Sequence, residues 1–197
     1  MSERALAETE SDGALIGRPR AAPRRLPPSG VEHIVFCLFD AIPVEVIAKL
    51  ETTAPEDRIS VAEPWLDAGL GGKALAGRRP AGLMREAVLK YDAHRYRLMA
   101  WCVMPTHVHL LVGDVGDWSL DLVAPGLKYA NAKRADGPGR AERYWAPEYF
   151  RRTMRNDREI EETRRYIEAN PVAAGLCASS QAWRWSSASA RRLPWWW

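Results

Sequence analysis

Two of the chain's four histidines, His107 and His109, stand two residues apart inside the apolar run from Ala100 to Val112. Side chains alternate along a strand, so this spacing puts both imidazoles on one face and Val108 on the other. Two imidazoles backed by a rigid sheet are half of a divalent-metal site. Each ring nitrogen needs a partner when buried, so an apolar strand carries such a pair at a cost. Taken alone, the pair also fits a structural or exposed role, and the rest of the chain has to decide.

Tyr166 and Asn170 are four residues apart in a segment of helical character, one turn apart on one face. A tyrosine hydroxyl is an oxygen nucleophile that carries a covalent intermediate when activated. An asparagine carbonyl is an oxygen ligand for a hard or borderline cation. Placed beside His107 and His109, these residues complete a working set. Two imidazoles and one amide oxygen hold a divalent ion, and the ion polarises a phosphodiester oxygen. Tyr166 attacks phosphorus and becomes linked to the DNA end. Without the other three residues, Tyr166 fits a half-buried packing position better than a catalytic one.

The elements that must position this set follow from the hydrophobic pattern. His33 to Phe39 is a short apolar run bounded by Gly and Pro, which predicts a buried strand. Val44 to Leu50 predicts a short helix after Pro43. The remainder of 41–80 has no clear period, and the glycines and proline of 69–80 predict a loop. Leu83, Ala87, Val88 and Tyr91 predict a helix near 80–92. Arg95 to Val103 and His107 to Gly113 predict a hairpin closed by Met104, Pro105 and Thr106. A helix from about Ser119 to Arg134 should be kinked or split at Pro125-Gly126. Trp145 to Met154 predicts a further strand. Asn156 to Glu159 resembles a capping box that opens a helix running to Asn170, with Ile160 and Ile167 on its buried face. Pro171 and Gly175 end it. The order β-α-β-β-α-β predicts an α+β fold. It is a ferredoxin-like antiparallel sheet with helices on one face, plus a C-terminal helix carrying the tyrosine.

With 197 residues, 47% of them apolar, the chain suits one domain with a sizeable core. The expected division is an Arg/Pro-rich arm at 1–28, a domain at 29–188 and a Trp-rich tail at 189–197. The net charge of +3 is mild, but its distribution is not even. From Lys128 to Arg158 there are nine basic residues against four acids, a cluster able to track phosphates or simply to form a solvated face. Arg18 to Arg25 in the arm and Trp195, Trp196 and Trp197 in the tail are secondary candidates for DNA contact. Cys37, Cys102 and Cys177 are far apart, which excludes a disulfide framework and a thiolate zinc site. No signal-peptide pattern or run of membrane-spanning length is read in the sequence, which predicts a cytoplasmic protein with no membrane partner.

The sequence resembles the REP-associated tyrosine transposases, relatives of the single-tyrosine HUH insertion-sequence transposases. The resemblance runs from about Arg24 to Ala188. It rests on Arg95 to Trp101 leading into Val103-Met104-Pro105-Thr106-His107-Val108-His109, on Tyr144-Trp145 and on Glu148-Tyr149-Phe150. It rests above all on Arg165-Tyr166-Ile167-Glu168-Ala169-Asn170-Pro171-Val172, which begins about 57 residues after the histidine pair. Trp183 to Ser187 closes it. Membership would imply a metal-dependent transposase that cleaves and rejoins single-stranded or hairpin DNA, typically palindromic repeats, through a 5′-phosphotyrosine. The alternative is a catalytically silent DNA-binding protein of the same fold. The resemblance makes Tyr166 the nucleophile and His107, His109 and Asn170 the metal ligands. It gives magnesium or manganese as the ion, although ligand softness alone also admits zinc. Lys128 would contact phosphate, with Arg151, Arg152 and Arg155 beside it. The protein would be nucleoid-associated, as a monomer or homodimer. Four positions depart from the family pattern: Thr106 stands for Asn, Lys73-Ala74-Leu75 for Cys-Trp-Leu and Arg151 for Asp, and Pro125-Gly126 interrupts the helix bearing Lys128.

Overall fold

The computed structural model describes residues 30–114, 118–135 and 144–190, with 133–135 described for the backbone alone. The Arg18–Arg25 arm and Trp195, Trp196 and Trp197 lie outside the described residues. Among the described residues four strands form one sheet: β1 (Val31–Cys37), β2 (Tyr96–Val103), β3 (His107–Asp114) and β4 (Phe150–Thr153). Their order is β2-β3-β1-β4, and every neighbouring pair is antiparallel. The α+β class and the ferredoxin-like sheet are as expected.

Three helices lie between β1 and β2: α1 (Val44–Thr52), α2 (Arg58–Asp67) and α3 (Arg78–Lys90). A fourth, α4 (Val123–Ala135), follows a short 3-10 turn at Leu120–Leu122. α5 (Asp157–Ala173) and the single turn α6 (Ser187–Ala190) complete the fold. Apolar side chains sort by the two faces of the sheet. Ile34, Phe36, Val108, Leu110 and Val112 join Met84 and Val88 of α3 and Leu127 of α4 in the larger core. Ala100, Cys102 and Leu111 join Met154 and Ile167 in a smaller core under α5. His109 opposes Val35 on β1 and Cys102 on β2, so both histidines sit on the α5 face at the centre of the sheet.

Several local expectations are corrected. Residues 41–80 hold a second helix, α2, that the pattern concealed. Pro64 lies inside it, and only Ile59, Ala62 and Leu66 are buried. A proline in a weakly amphipathic segment reads as a breaker. Pro125 does not split α4, because the helix starts at Val123 and a first-turn proline has no intrahelical N–H bond to lose. The expected strand 145–154 shortens to Phe150–Thr153, with Trp145 making one bridge to Leu38. α5 runs through Pro171 to Ala173. It closes at Gly175, whose φ of 69° supplies the left-handed turn, with the Leu176 N–H donating to the Pro171 carbonyl at 2.9 Å. The Asn156 carboxamide caps α5 by accepting from the Glu159 N–H at 3.0 Å, while the Glu159 carboxylate reaches Arg155 N–H rather than Asn156.

The loop after α2 is anchored, and this fixes the C-terminal end of that helix. Gly71 has φ 77°, and a Cβ there would fall 2.1 Å from the Asp40 carbonyl oxygen. The Gly72 N–H donates to the Asp40 carboxylate at 2.8 Å. Leu75, fully buried, donates its N–H to the Pro105 carbonyl at 3.1 Å in the turn just before His107. None of the helices described is long and apolar enough to cross a membrane.

Candidate active site

His107 and His109 are fully buried, and their Nε2 atoms are 2.9 Å apart. Each ring is held from behind through Nδ1. Thr106 Oγ1 is 2.9 Å from His107 Nδ1, and His33 Nε2 is 3.1 Å from His109 Nδ1. Thr106, the residue that departs from the family motif, therefore orients a member of the site. Burial pushes all three imidazoles down, His109 to about 3, and their mutual repulsion adds to this for His33 and His107. At neutral pH they are uncharged, the form that binds metal.

α5 brings Tyr166 and Asn170 over this pair. The Tyr166 ring meets His109 edge-on, with centroids 5.6 Å apart. Asp67, the last residue of α2, holds both α5 residues. It accepts from the Tyr166 hydroxyl at 3.1 Å and from the Asn170 amide nitrogen at 2.8 Å. A carboxylate only accepts, so the Asn170 amide must turn its nitrogen to Asp67. Asn170 Oδ1 is then buried without a hydrogen-bond partner among the described residues. Burial, followed by the Glu63 and Asp67 carboxylates, pushes the Tyr166 phenol well above its ordinary range. Glu63, one turn earlier on α2, is itself pushed up to about 7 by burial and by Asp67.

The donor set fits a divalent ion. With bonds of about 2.1 Å, cis ligands of an octahedral ion lie ~3.0 Å apart, which matches the spacing of the two Nε2 atoms. Donor atoms of Asp67, His107 and His109 all lie within 4.8 Å of one another. The orphaned Asn170 oxygen is a neutral acceptor suited to such an ion. The structure thus brings together Tyr166, His107, His109 and Asn170, as their types and spacing predict. It adds His33, Glu63 and Asp67, which the sequence pattern did not reveal. His33 lies on β1 with the same facing as Val35, so strand parity could have found it. Glu63 and Asp67 are spaced like Tyr166 and Asn170 but sit on the concealed helix.

The basic residues divide. Arg151, Arg152 and Arg155 line one open cleft of about 530 Å³ between α2, β4 and the start of α5, together with Asp57 and Glu159. Arg151 pairs with Asp121, and Arg155 pairs with Glu159. Arg152 has a buried Nε without a hydrogen-bond partner among the described residues. Lys128 is elsewhere: its ammonium donates to the carbonyls of Ala146, Pro147 and Glu148 at 2.6, 2.9 and 3.1 Å. All three of its donors hold that loop in place.

Residues 82–170 match the family model of the IS200-like transposases. The matched segment contains His107, His109 and Tyr166 and ends on Asn170. It bears out the resemblance read from the motifs and supports a role in DNA transposition. Among solved structures, a REP-associated tyrosine transposase bound to a REP hairpin is similar at 18% identity and a TM-score of 0.57, over 91% of this chain and 88% of that one. At that identity the likeness is one of fold. A Deinococcus radiodurans R1 protein described as a candidate transposase aligns at 18% identity over 79% of this chain and 96% of its own, with a TM-score of 0.35 too low to add to this. No curated protein matches the chain.

Proposed function

We propose that the protein is a metal-dependent transposase that cleaves and rejoins single-stranded or hairpin DNA through a covalent link at Tyr166. The observation that carries this reading is the convergence of Tyr166, Asn170, His107 and His109 at one buried site, with Asp67 accepting from the first two. His107, His109 and Asn170 would hold magnesium or manganese, and Asp67 is close enough to contribute. Such an ion, when bound, polarises the scissile phosphate and stabilises the charge that develops on it.

The chain's own residues do the rest. Tyr166 offers its oxygen to phosphorus, and the Asp67 carboxylate is the acceptor toward which the phenolic proton already points. The new bond joins Tyr166 Oη to the 5′-phosphate. The bond that breaks frees a 3′ hydroxyl, whose oxygen takes up a proton. Attack by that hydroxyl, or by the 3′ hydroxyl of another strand, reverses the step and rejoins the DNA. The buried phenol, pushed up by its surroundings, is protonated at neutral pH, so its proton must pass to an acceptor as the bond to phosphorus forms. Arg151, Arg152 and Arg155 would meet a phosphate backbone in the cleft they line, where Glu56, Asp57 and Glu159 offset their charge.

The site is buried between the sheet and α5, so the scissile strand would have to be unpaired to reach Tyr166. The test is a labelled hairpin with a single-stranded flank beside a full duplex of the same sequence, each incubated with Mn²⁺ and then SDS. An SDS-resistant adduct is expected with the hairpin, and none with the duplex or in EDTA. Binding of both DNAs without any adduct would instead favour a silent DNA-binding protein.

A further inference from the structure

His109 uses both ring nitrogens. Its Nε2 faces His107, and its Nδ1 meets His33 Nε2 at 3.1 Å. His33 is 1% exposed, on the neighbouring strand, and its ring stacks against His109 with centroids 5.3 Å apart and planes 22° apart. On the far side of His33, Nδ1 lies 3.6 Å from a carboxylate oxygen of Glu63. The Tyr166 ring rests edge-on against both imidazoles, 6.2 Å from His33 and 5.6 Å from His109. A carboxylate, an imidazole and a second imidazole are thus in sequence, leading to the His109 Nε2 that faces His107. Histidine ligands are commonly fixed by a partner on the nitrogen away from the metal, which sets both tautomer and ring plane.

We propose that His33, backed by Glu63, is a positioning residue: it accepts the Nδ1 proton of His109 and so commits the Nε2 lone pair of His109 to the metal. Its own proton then sits on Nδ1, facing Glu63. Thr106 does the corresponding task for His107, so each ligand is held by one neighbour. His33 also floors the Tyr166 ring, which ties the direction of the ligand to the place of the nucleophile. This inference rests on the metal reading above.

The experiment titrates Mn²⁺ into the full chain and follows the free-ion signal by electron paramagnetic resonance. The variants are His33→Phe, which fills the volume without a nitrogen, Glu63→Gln and His107→Ala. The ¹⁵N spectrum of the Mg²⁺-loaded wild type reports the His109 tautomer. His33→Phe should raise the Mn²⁺ Kd about 10- to 100-fold, Glu63→Gln should raise it less, and His109 should carry its proton on Nδ1. If His33→Phe does not fold, Glu63→Gln and the tautomer decide. Wild-type affinity in the His33 and Glu63 variants, with affinity lost in His107→Ala, would overturn the positioning role and leave the metal site standing. Unchanged binding in His107→Ala would overturn both. Two ions per wild-type chain, one of them lost in the His33 and Glu63 variants, would make these residues ligands and also overturn the proposal.

Discussion

Replacing Asp67 by alanine removes an acceptor that serves two residues of α5 at once. The Asn170 amide nitrogen, 2.8 Å from Asp67 on a side chain that is 2% exposed, is left buried without a partner. An orphaned buried donor costs about 1–3 kcal/mol. The half-buried Tyr166 hydroxyl loses its bond as well, adding roughly 0.5–1.5 kcal/mol. Asp67→Ala should therefore destabilise the metal-free protein by about 2–4 kcal/mol, seen as a lower urea midpoint at unchanged slope. Asn170→Ala should cost less, because Asp67 keeps its tyrosine partner. The double variant tests the geometry. Its loss should fall short of the sum by about 1–2 kcal/mol, because a charge-assisted bond removed once leaves nothing for the second change to remove. Additivity within ~0.3 kcal/mol would mean that Asp67 and Asn170 do not meet in solution, and that α2 does not order the site.

The buried imidazoles predict a pH dependence for the metal-free protein. The folded values of His33, His107 and His109 lie below the ordinary 6.5, so the unfolded chain binds more protons below that pH and stability falls as the medium is acidified. Glu63, pushed up to about 7 from 4.5, binds more protons when folded and opposes this loss between those values. Glu63→Gln should therefore steepen the fall between pH 6.5 and 4.5, and a shallower profile would contradict the burial of Glu63. Arg152→Ala should flatten the salt dependence of single-strand affinity by about 0.7 in log–log slope for each phosphate it had neutralised. Arg151→Ala and Arg155→Ala should do less, since carboxylates already engage both, and equal effects from all three would refute this ranking. Gly71→Ala forces a Cβ onto the Asp40 carbonyl at a positive φ. It should lower Tm by several degrees, and an unchanged melt would mean that the loop after α2 is not held as described.

The legible part of this fold was the part with a clear apolar pattern. β2 and β3 are near-continuous apolar runs joined by a short turn, and α5 carries helical spacing; with them came His107, His109, Tyr166 and Asn170. α2 was illegible for the opposite reason. Pro64 interrupts it, only Ile59, Ala62 and Leu66 are buried along it, and its place is set by a loop that the glycines disguise as free. Asp67 and Glu63 were missed with it, because a carboxylate declares its function only when its partners are known. The basic run misled in another way. Charges counted along the chain ignored Asp121 and Glu159, which the fold sets beside Arg151 and Arg155, and the carbonyls that occupy Lys128. Long-range pairing decides such cases, and local sequence does not encode it.

The central claim is that Tyr166 supplies the oxygen of the covalent bond to DNA. The direct measurement is peptide mass mapping of the adduct formed from a hairpin with a single-stranded flank in Mn²⁺, after nuclease and protease digestion. The account predicts that the peptide containing Tyr166 carries the residual nucleotide, and that Tyr166→Phe, which keeps the ring over His109, binds the hairpin within a few-fold of wild type and forms no adduct. A nucleotide mapped to any other residue, or an adduct that persists in Tyr166→Phe, would contradict it.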